Sequence, residues 1–191
     1  MKNTDKESQT VTLASGCFWC SEAVFKRLNG VKSVVSGYSG GYVDNPSYNL
    51  VCSGETGHAE AVQIEFDPKI ISFERILDVF WHTHDPTTLN RQGNDVGTQY
   101  RSAIFYHNQA QKEMAEKSKR MLEEEGTYKN PIVTEISPFR NFYPAEEYHK
   151  DYYDNNQDAP YCSYVIDPKV QKLLSKYKDN VKKEYVNLLG K

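Results

Sequence analysis

The chain has 191 residues, a net charge of -3 with scattered basic residues, 38% hydrophobic and 13% aromatic side chains, and 14 tyrosines. That length fits one domain that buries roughly 70% of its unfolded surface, and the charge leaves no footprint for nucleic acid. The polar stretch Met1–Thr10 has no apolar signal region and nothing approaches the ~20 apolar residues of a membrane span, so a soluble cytoplasmic protein without membrane contacts is expected.

Residues 1–10 read as a loose lead-in. Val11–Ser15 reads as a buried strand and Cys17–Asn29 as a helix stopped by Gly30. Gly16 supplies the backbone freedom of the turn between them. Cys17 therefore falls at a helix N-terminus, where free N–H groups and the macrodipole favour thiolate, and cysteines so placed can have pKa values of roughly 3.5 to 7.5. Phe18 and Trp19 follow as walls of an apolar pocket. Cys20 lies one helical turn on, within disulfide reach. Four cysteines, two of them in this one CxxC, suit working thiols in a reducing compartment better than a disulfide scaffold.

Val31–Ser36 reads as a second strand, and the breaker-rich Gly37–Pro46 as a long loop. Ala61–Phe66 alternates as a strand, with Glu60 at its start on the apolar side with Val62, Ile64 and Phe66. Burial there raises a carboxyl pKa toward that of a general acid, unless a basic partner holds the group at the strand end. Ser72 caps an amphipathic helix to His82, and residues 87–100 form a polar loop into a strand at Arg101–Tyr106. Asn108 caps a helix through Glu125. Ile132–Ile136 reads as a strand, Pro138–Pro144 as a loop, Ala145–Asp154 as a short helix, Tyr161–Ile166 as an extended tail and Pro168–Leu189 as a final helix. The order β-α-β-β-α-β-α-β-α suggests an α+β two-layer sandwich resembling a ferredoxin-like core, with long functional loops and a C-terminal extension over residues 155–191.

Five pieces occur in order: Gly16-Cys17-Phe18-Trp19; Gly40-Gly41-Tyr42 with Asn45-Pro46-Ser47-Tyr48; Thr56-Gly57-His58-Ala59-Glu60; Gly93-Asn94-Asp95 with Gly97-Thr98-Gln99-Tyr100-Arg101-Ser102; and Phe142-Tyr143-Pro144-Ala145-Glu146 with Tyr148-His149. Together, from Val11 to about Ile166, they resemble the peptide methionine sulfoxide reductases of the A type. The resemblance implies that Cys17 attacks the sulfoxide sulfur and becomes a sulfenic acid. Phe18 and Trp19 would receive the S-methyl group, and Glu60 would protonate the oxygen. Tyr48 and Tyr100 would hydrogen-bond that oxygen, and Asp95 would orient substrate or water.

The implied substrates are free and peptide-bound methionine sulfoxide of the S configuration, in the repair of oxidised proteins. Thioredoxin is the implied external reductant, with no metal or organic cofactor, and the enzyme is expected to be a monomer. The chain departs from the common pattern at Cys20, where many members have glycine, so Cys20 and Cys162 are both candidate resolving thiols. Cys20 is the first expected and Cys162 a relay on a movable tail, while Cys52 and His58 are expected to be structural. Two alternatives to this reading are a thioredoxin-like thiol-disulfide oxidoreductase and a zinc module built on Cys17, Cys20, Cys52 and His58.

Overall fold

Alternation along the strands sorts their side chains onto two faces of one sheet, in a computed structural model that describes residues 8–186. The strands β1 (Gln9–Ser15), β2 (Val31–Ser39) and β3 (Ala59–Phe66) precede a two-residue pair, β4 (Arg91–Gln92) and β5 (Asp95–Val96). After these come β6 (Ser102–Tyr106), β7 (Glu135–Pro138) and β8 (Phe142–Pro144). β4 and β5 pair with each other, and the rest form a six-stranded sheet in the order β7-β6-β1-β3-β2-β8. All neighbours are antiparallel except β6 and β7. Both edge strands end in proline, which has no N–H to offer a further strand.

The helices are α1 (Phe18–Phe25), α2 (Tyr48–Cys52), α3 (Phe73–Thr83), α4 (Gln109–Glu124), α5 (Tyr152–Asn155), α6 (Asp167–Lys176) and α7 (Lys183–Val186). Leu13, Val62, Ile64 and Phe66 project from one sheet face into a core with Phe25 of α1, Ile76 and Phe80 of α3 and Leu173 of α6, all fully buried. Each such side chain contributes about 1.5–3 kcal/mol of transfer free energy. The opposite face is lined by Ala14, Ala59, Ala61, Ala103 and Phe105, and the small side chains let Phe139 and Phe142 lie close over it. Ser72 and Asn108 cap α3 and α4 as expected, accepting from the amides of Arg75 and Gln111. None of the described helices is long and apolar enough to cross a membrane.

The mixed α+β architecture is as expected, and the departures lie at the loops and the C-terminus. β1 begins at Gln9, so the expected lead-in shrinks to its first eight residues, of which 1–7 lie outside the described residues. β2 runs on to Ser39 because Phe142–Pro144, expected to be loop, adds as an edge strand against Gly37–Ser39. Tyr161–Ile166 is not extended. Cys162–Ile166 forms a π-helical turn, since Cys162, Ile166 and Val170 recur at helical spacing and bury one face in the main core. The final helix breaks after Lys176, where buried Tyr177 donates to the Asp78 carbonyl at 3.1 Å. Its expected end at Leu189 lies outside the described residues.

The start of β3 is strapped to the preceding loop at Gly41. The Gly41 amide donates to His58 Nδ1 at 3.0 Å, so the ring's Nε2–H donates to the Val43 carbonyl at 2.8 Å. A Cβ on Gly41 would overlap the Thr56 carbonyl oxygen and the His58 amide nitrogen. Gly41→Ala is therefore expected to cost roughly 1–3 kcal/mol, seen as a lower urea midpoint with an unchanged slope. A midpoint equal to the parent's would contradict this packing.

Candidate active site

Cys17 ends the turn out of β1 and caps α1. Gly16 makes the turn with φ +91, a left-handed value that glycine adopts without cost. Cys17 itself is extended at ψ 127 and makes no side-chain capping bond. The first free amide of the helix, that of Phe18, donates instead to Glu60 Oε2 at 3.0 Å. Glu60 reaches it from the apolar face of β3, where alternation puts it, and is 1% exposed. The Cys17 thiol and the same carboxyl lie within electrostatic range of each other, so the sequence-predicted pair does lie together.

Burial raises the Glu60 carboxyl to about 8, against the lowering effect of the Phe18 amide. It is therefore mostly protonated at neutral pH. At Cys17 the expectation from sequence fails. Burial pushes this thiol well above its ordinary value, and the hydrogen bond to Cys20 and the nearby Glu60 push the same way. A helix N-terminus is worth about 0.3–1 kcal/mol, less than one pKa unit, whereas burial can move a group by several. Cys20 behaves oppositely. Its pKa falls to about 7, pulled down mainly by the hydrogen bond from Cys17 and further by the Lys169 ammonium, against the effect of burial.

Aromatic rings enclose the pair. Phe18 lies 5.9 Å from Tyr38, 6.4 Å from Tyr48 and 5.0 Å from His149, measured between ring centroids. Trp19 stacks on Tyr152 at 3.6 Å and donates from its indole N–H to His149 Nδ1 at 3.0 Å. Tyr48 enters from α2 and Tyr100 from the 3₁₀ turn Thr98–Tyr100, both within electrostatic range of Glu60 and Cys52, and Tyr100 also of Cys17. Burial raises both phenols, so both are O–H donors at neutral pH. Asp95 accepts from Tyr161 at 2.7 Å. Cys162 is fully buried within electrostatic range of Cys20, held in the π turn rather than on a free tail.

Sequence reasoning missed the support of this cluster. Glu146 accepts from Tyr38 at 2.7 Å and from the Tyr48 amide at 2.8 Å, which fixes the start of α2. Tyr161 meets Trp19 edge-on and stands 4.0 Å from Cys20 Sγ. Glu146 and His149 were legible only as motif members, and Tyr161 only as the neighbour of Cys162. The zinc alternative finds no geometry, because backbone groups engage both ring nitrogens of His58.

A family model described as peptide methionine sulfoxide reductase matches residues 9–182. The chain belongs to the peptide methionine sulfoxide reductase family. A relative named peptide methionine sulfoxide reductase MsrA, from Saccharolobus solfataricus, is 56% identical over 174 residues, covering 91% of this chain and 97% of its own. Among solved structures, the reduced form of Mxr1 from Saccharomyces cerevisiae is similar with a TM-score of 0.75 and 37% identity, covering 84% of this chain and 92% of that one. Mxr1 in complex with Trx2 is similar with a TM-score of 0.54 and 29% identity, over 80% and 89% of the two chains. Methionine sulfoxide reduction is the activity that membership carries, and it sets aside the thioredoxin-like alternative.

The folded-state value for Glu60, about 8, lies above the unfolded value of 4.5. Its protonation therefore supports folding fully below about pH 4.5, and that support is lost as pH rises through about 8. Glu60→Gln keeps an acceptor for the Phe18 amide and cannot ionise. It is expected to match the parent in urea midpoint near pH 5 and to exceed it at pH 9, by up to a few kcal/mol. A variant less stable than the parent at pH 9 would contradict the protonated carboxyl.

Proposed function

We propose that this family member reduces the S epimer of free and peptide-bound methionine sulfoxide through Cys17, repairing oxidised proteins. The observation that carries the reading is the buried Glu60 carboxyl, held by the Phe18 amide next to Cys17 under a wall of aromatic rings, where burial keeps it protonated. Cys17 Sγ attacks the sulfoxide sulfur while Glu60 passes its proton to the oxygen. The hydroxyl then passes from the substrate sulfur to Cys17 Sγ as the transient bond between the two sulfurs breaks, so that methionine leaves and Cys17 is left as a sulfenic acid. Expelling oxide without that proton would be prohibitive. Tyr48 and Tyr100 donate to the oxygen as charge grows on it. Phe18 and Trp19 take the S-methyl group, for which contacts between sulfur and aromatic rings are favourable. Asp95 acts through Tyr161, holding it over the site.

Cys20 then attacks the Cys17 sulfenic acid, giving a disulfide and water. This needs no backbone movement beyond the helical turn that already joins them. Passage of the disulfide to Cys162 requires the π turn to unpack. Two electrons from thioredoxin restore the thiols, a partner class that the Mxr1 complex with Trx2 supports. No organic cofactor or metal takes part in these steps.

The same reading makes the chain one reductase domain that acts as a cytoplasmic monomer, with residues 155–191 as its C-terminal extension. Its four inner strands in the order β6-β1-β3-β2, with α1 and α3 as the crossovers, support a ferredoxin-like core.

Single-turnover reduction of dabsyl methionine sulfoxide tests the acid. Glu60→Gln is expected to slow methionine formation about 10²–10⁴-fold with little change in substrate affinity, and an unchanged rate would reject the assignment. Peptide mapping after one equivalent of substrate is expected to find a Cys17–Cys20 disulfide. A Cys17–Cys162 disulfide as the first product would overturn the order in which the two thiols act.

A further inference from the structure

Trp19 belongs to the wall that receives the S-methyl group, and it is only half-buried. Its ring lies flat on Tyr152 at 3.6 Å and meets Tyr161 edge-on at 5.7 Å. Such contacts set the plane of the indole but leave it free to turn within that plane. One polar group is left to fix the turn, the indole N–H, and it donates to His149 Nδ1 at 3.0 Å. His149 is 1% exposed, in the 3₁₀ turn Glu147–His149, with its ring centroid 5.0 Å from that of Phe18 and 4.5 Å from that of Tyr48. A half-exposed ring is thereby tied to a buried one.

We infer that His149 is a positioning residue for the substrate's S-methyl group, holding the Trp19 ring through the lone pair of Nδ1. An indole nitrogen can only donate, so Nδ1 carries no proton and the ring is the neutral tautomer with its proton on Nε2. A proton on Nδ1 would set two donors face to face at 3.0 Å and leave both unpaired. The surroundings of Nε2 favour the same tautomer. Glu146 Oε2 lies 3.8 Å from it, too far for a hydrogen bond but close enough to stabilise a proton there. Neither Nε2 nor the buried Ser36 Oγ has a hydrogen-bond partner among the described residues. Both residues line one cavity of about 190 Å³ with Glu22, Glu146 and Lys150, and it is polar and wide enough to hydrate them. Burial also lowers the pKa of the imidazole, against the raising effect of Glu146.

The inference rests on the reductase reading, in which Trp19 takes the S-methyl group, and adds to it a residue that touches no reacting atom. The methyl group lies against Trp19 before and during attack alike, so His149 acts on how tightly the sulfoxide binds more than on the chemical step. Two substitutions separate its acceptor from its bulk. His149→Asn places an amide oxygen where Nδ1 stood and keeps an acceptor for the indole. His149→Gln carries its amide to the Nε2 position and leaves the indole N–H without one.

Single turnovers of dabsyl methionine sulfoxide over a range of concentrations give the dissociation constant and the limiting rate separately. His149→Gln is expected to weaken binding about tenfold, with a smaller change in the limiting rate, and His149→Asn to restore most of the affinity. Trp19→Phe removes the N–H and keeps an aromatic ring, so on that background His149→Gln should cost little further affinity. In the unaltered enzyme, long-range ¹H–¹⁵N correlation at pH 7, assigned through the backbone, should show His149 with Nδ1 unprotonated and Nε2 protonated, a result that depends on no variant folding. A proton on Nδ1, an unchanged affinity in His149→Gln, equal losses in the two His149 variants, or a loss as large on the Trp19→Phe background as on the parent's would each overturn the inference. Absence of methionine from the wild-type enzyme itself would instead bring down the reductase reading on which it stands.

Discussion

The rest of the site depends on one hydrogen bond, from the Phe18 amide at the opening of α1 to the buried Glu60 carboxyl of β3. The bond gives the helix the cap that Cys17 does not supply, and it holds a core-facing acid next to the sulfur at the turn. It would favour a carboxylate, but a helix of eight residues offers little field. Burial prevails, and the carboxyl keeps its proton at neutral pH. The outcome of that competition decides the chemistry: a protonated acid donates, whereas a carboxylate in the same place would repel the nucleophile.

Around this bond the structure is layered. Glu146 gathers Tyr38 and the first amide of α2, which aims Tyr48. His149 holds the Trp19 indole, and Tyr152 lies flat against it. The segment bearing His149 and Tyr152 is tied to the far end of α1, where Lys26 reaches Asp151 and Asp154 and Arg27 reaches Asp154. Exposed ion pairs are worth little, but Arg27 is almost wholly buried, and removing its partner would leave an uncompensated charge. The rings that surround the thiol are thus held at both ends of the same helix.

Much of this was legible in the sequence wherever one periodicity was strong. Alternation puts Glu60 on the core face of its strand, helical spacing puts Cys20 beside Cys17, and Ser72 and Asn108 mark their helices. Misreadings come where two effects compete. Cys17 is placed correctly but assigned the wrong charge, because helix position is visible in sequence and the depth of burial is not. Tyr161–Ile166 looks extended by its aromatic and β-branched composition, and only its burial against α1 shows that spacing, not composition, governs it. Phe142–Pro144 joins the sheet because the Gly37–Ser39 edge is free to receive it, a tertiary fact with no local signal. Glu146 and His149 stand in recognisable motifs, but their work is to hold other residues, and that is set by contacts across more than ninety residues.

The most direct measurement is a titration of the Glu60 carboxyl by ¹³C NMR in the reduced, substrate-free enzyme, with its signal assigned by its absence from Glu60→Gln. A carboxyl that stays protonated through pH 7 and ionises near 8 is the predicted result. A carboxyl already ionised at pH 6 would contradict the account, because the acid beside Cys17 would then have no proton to give.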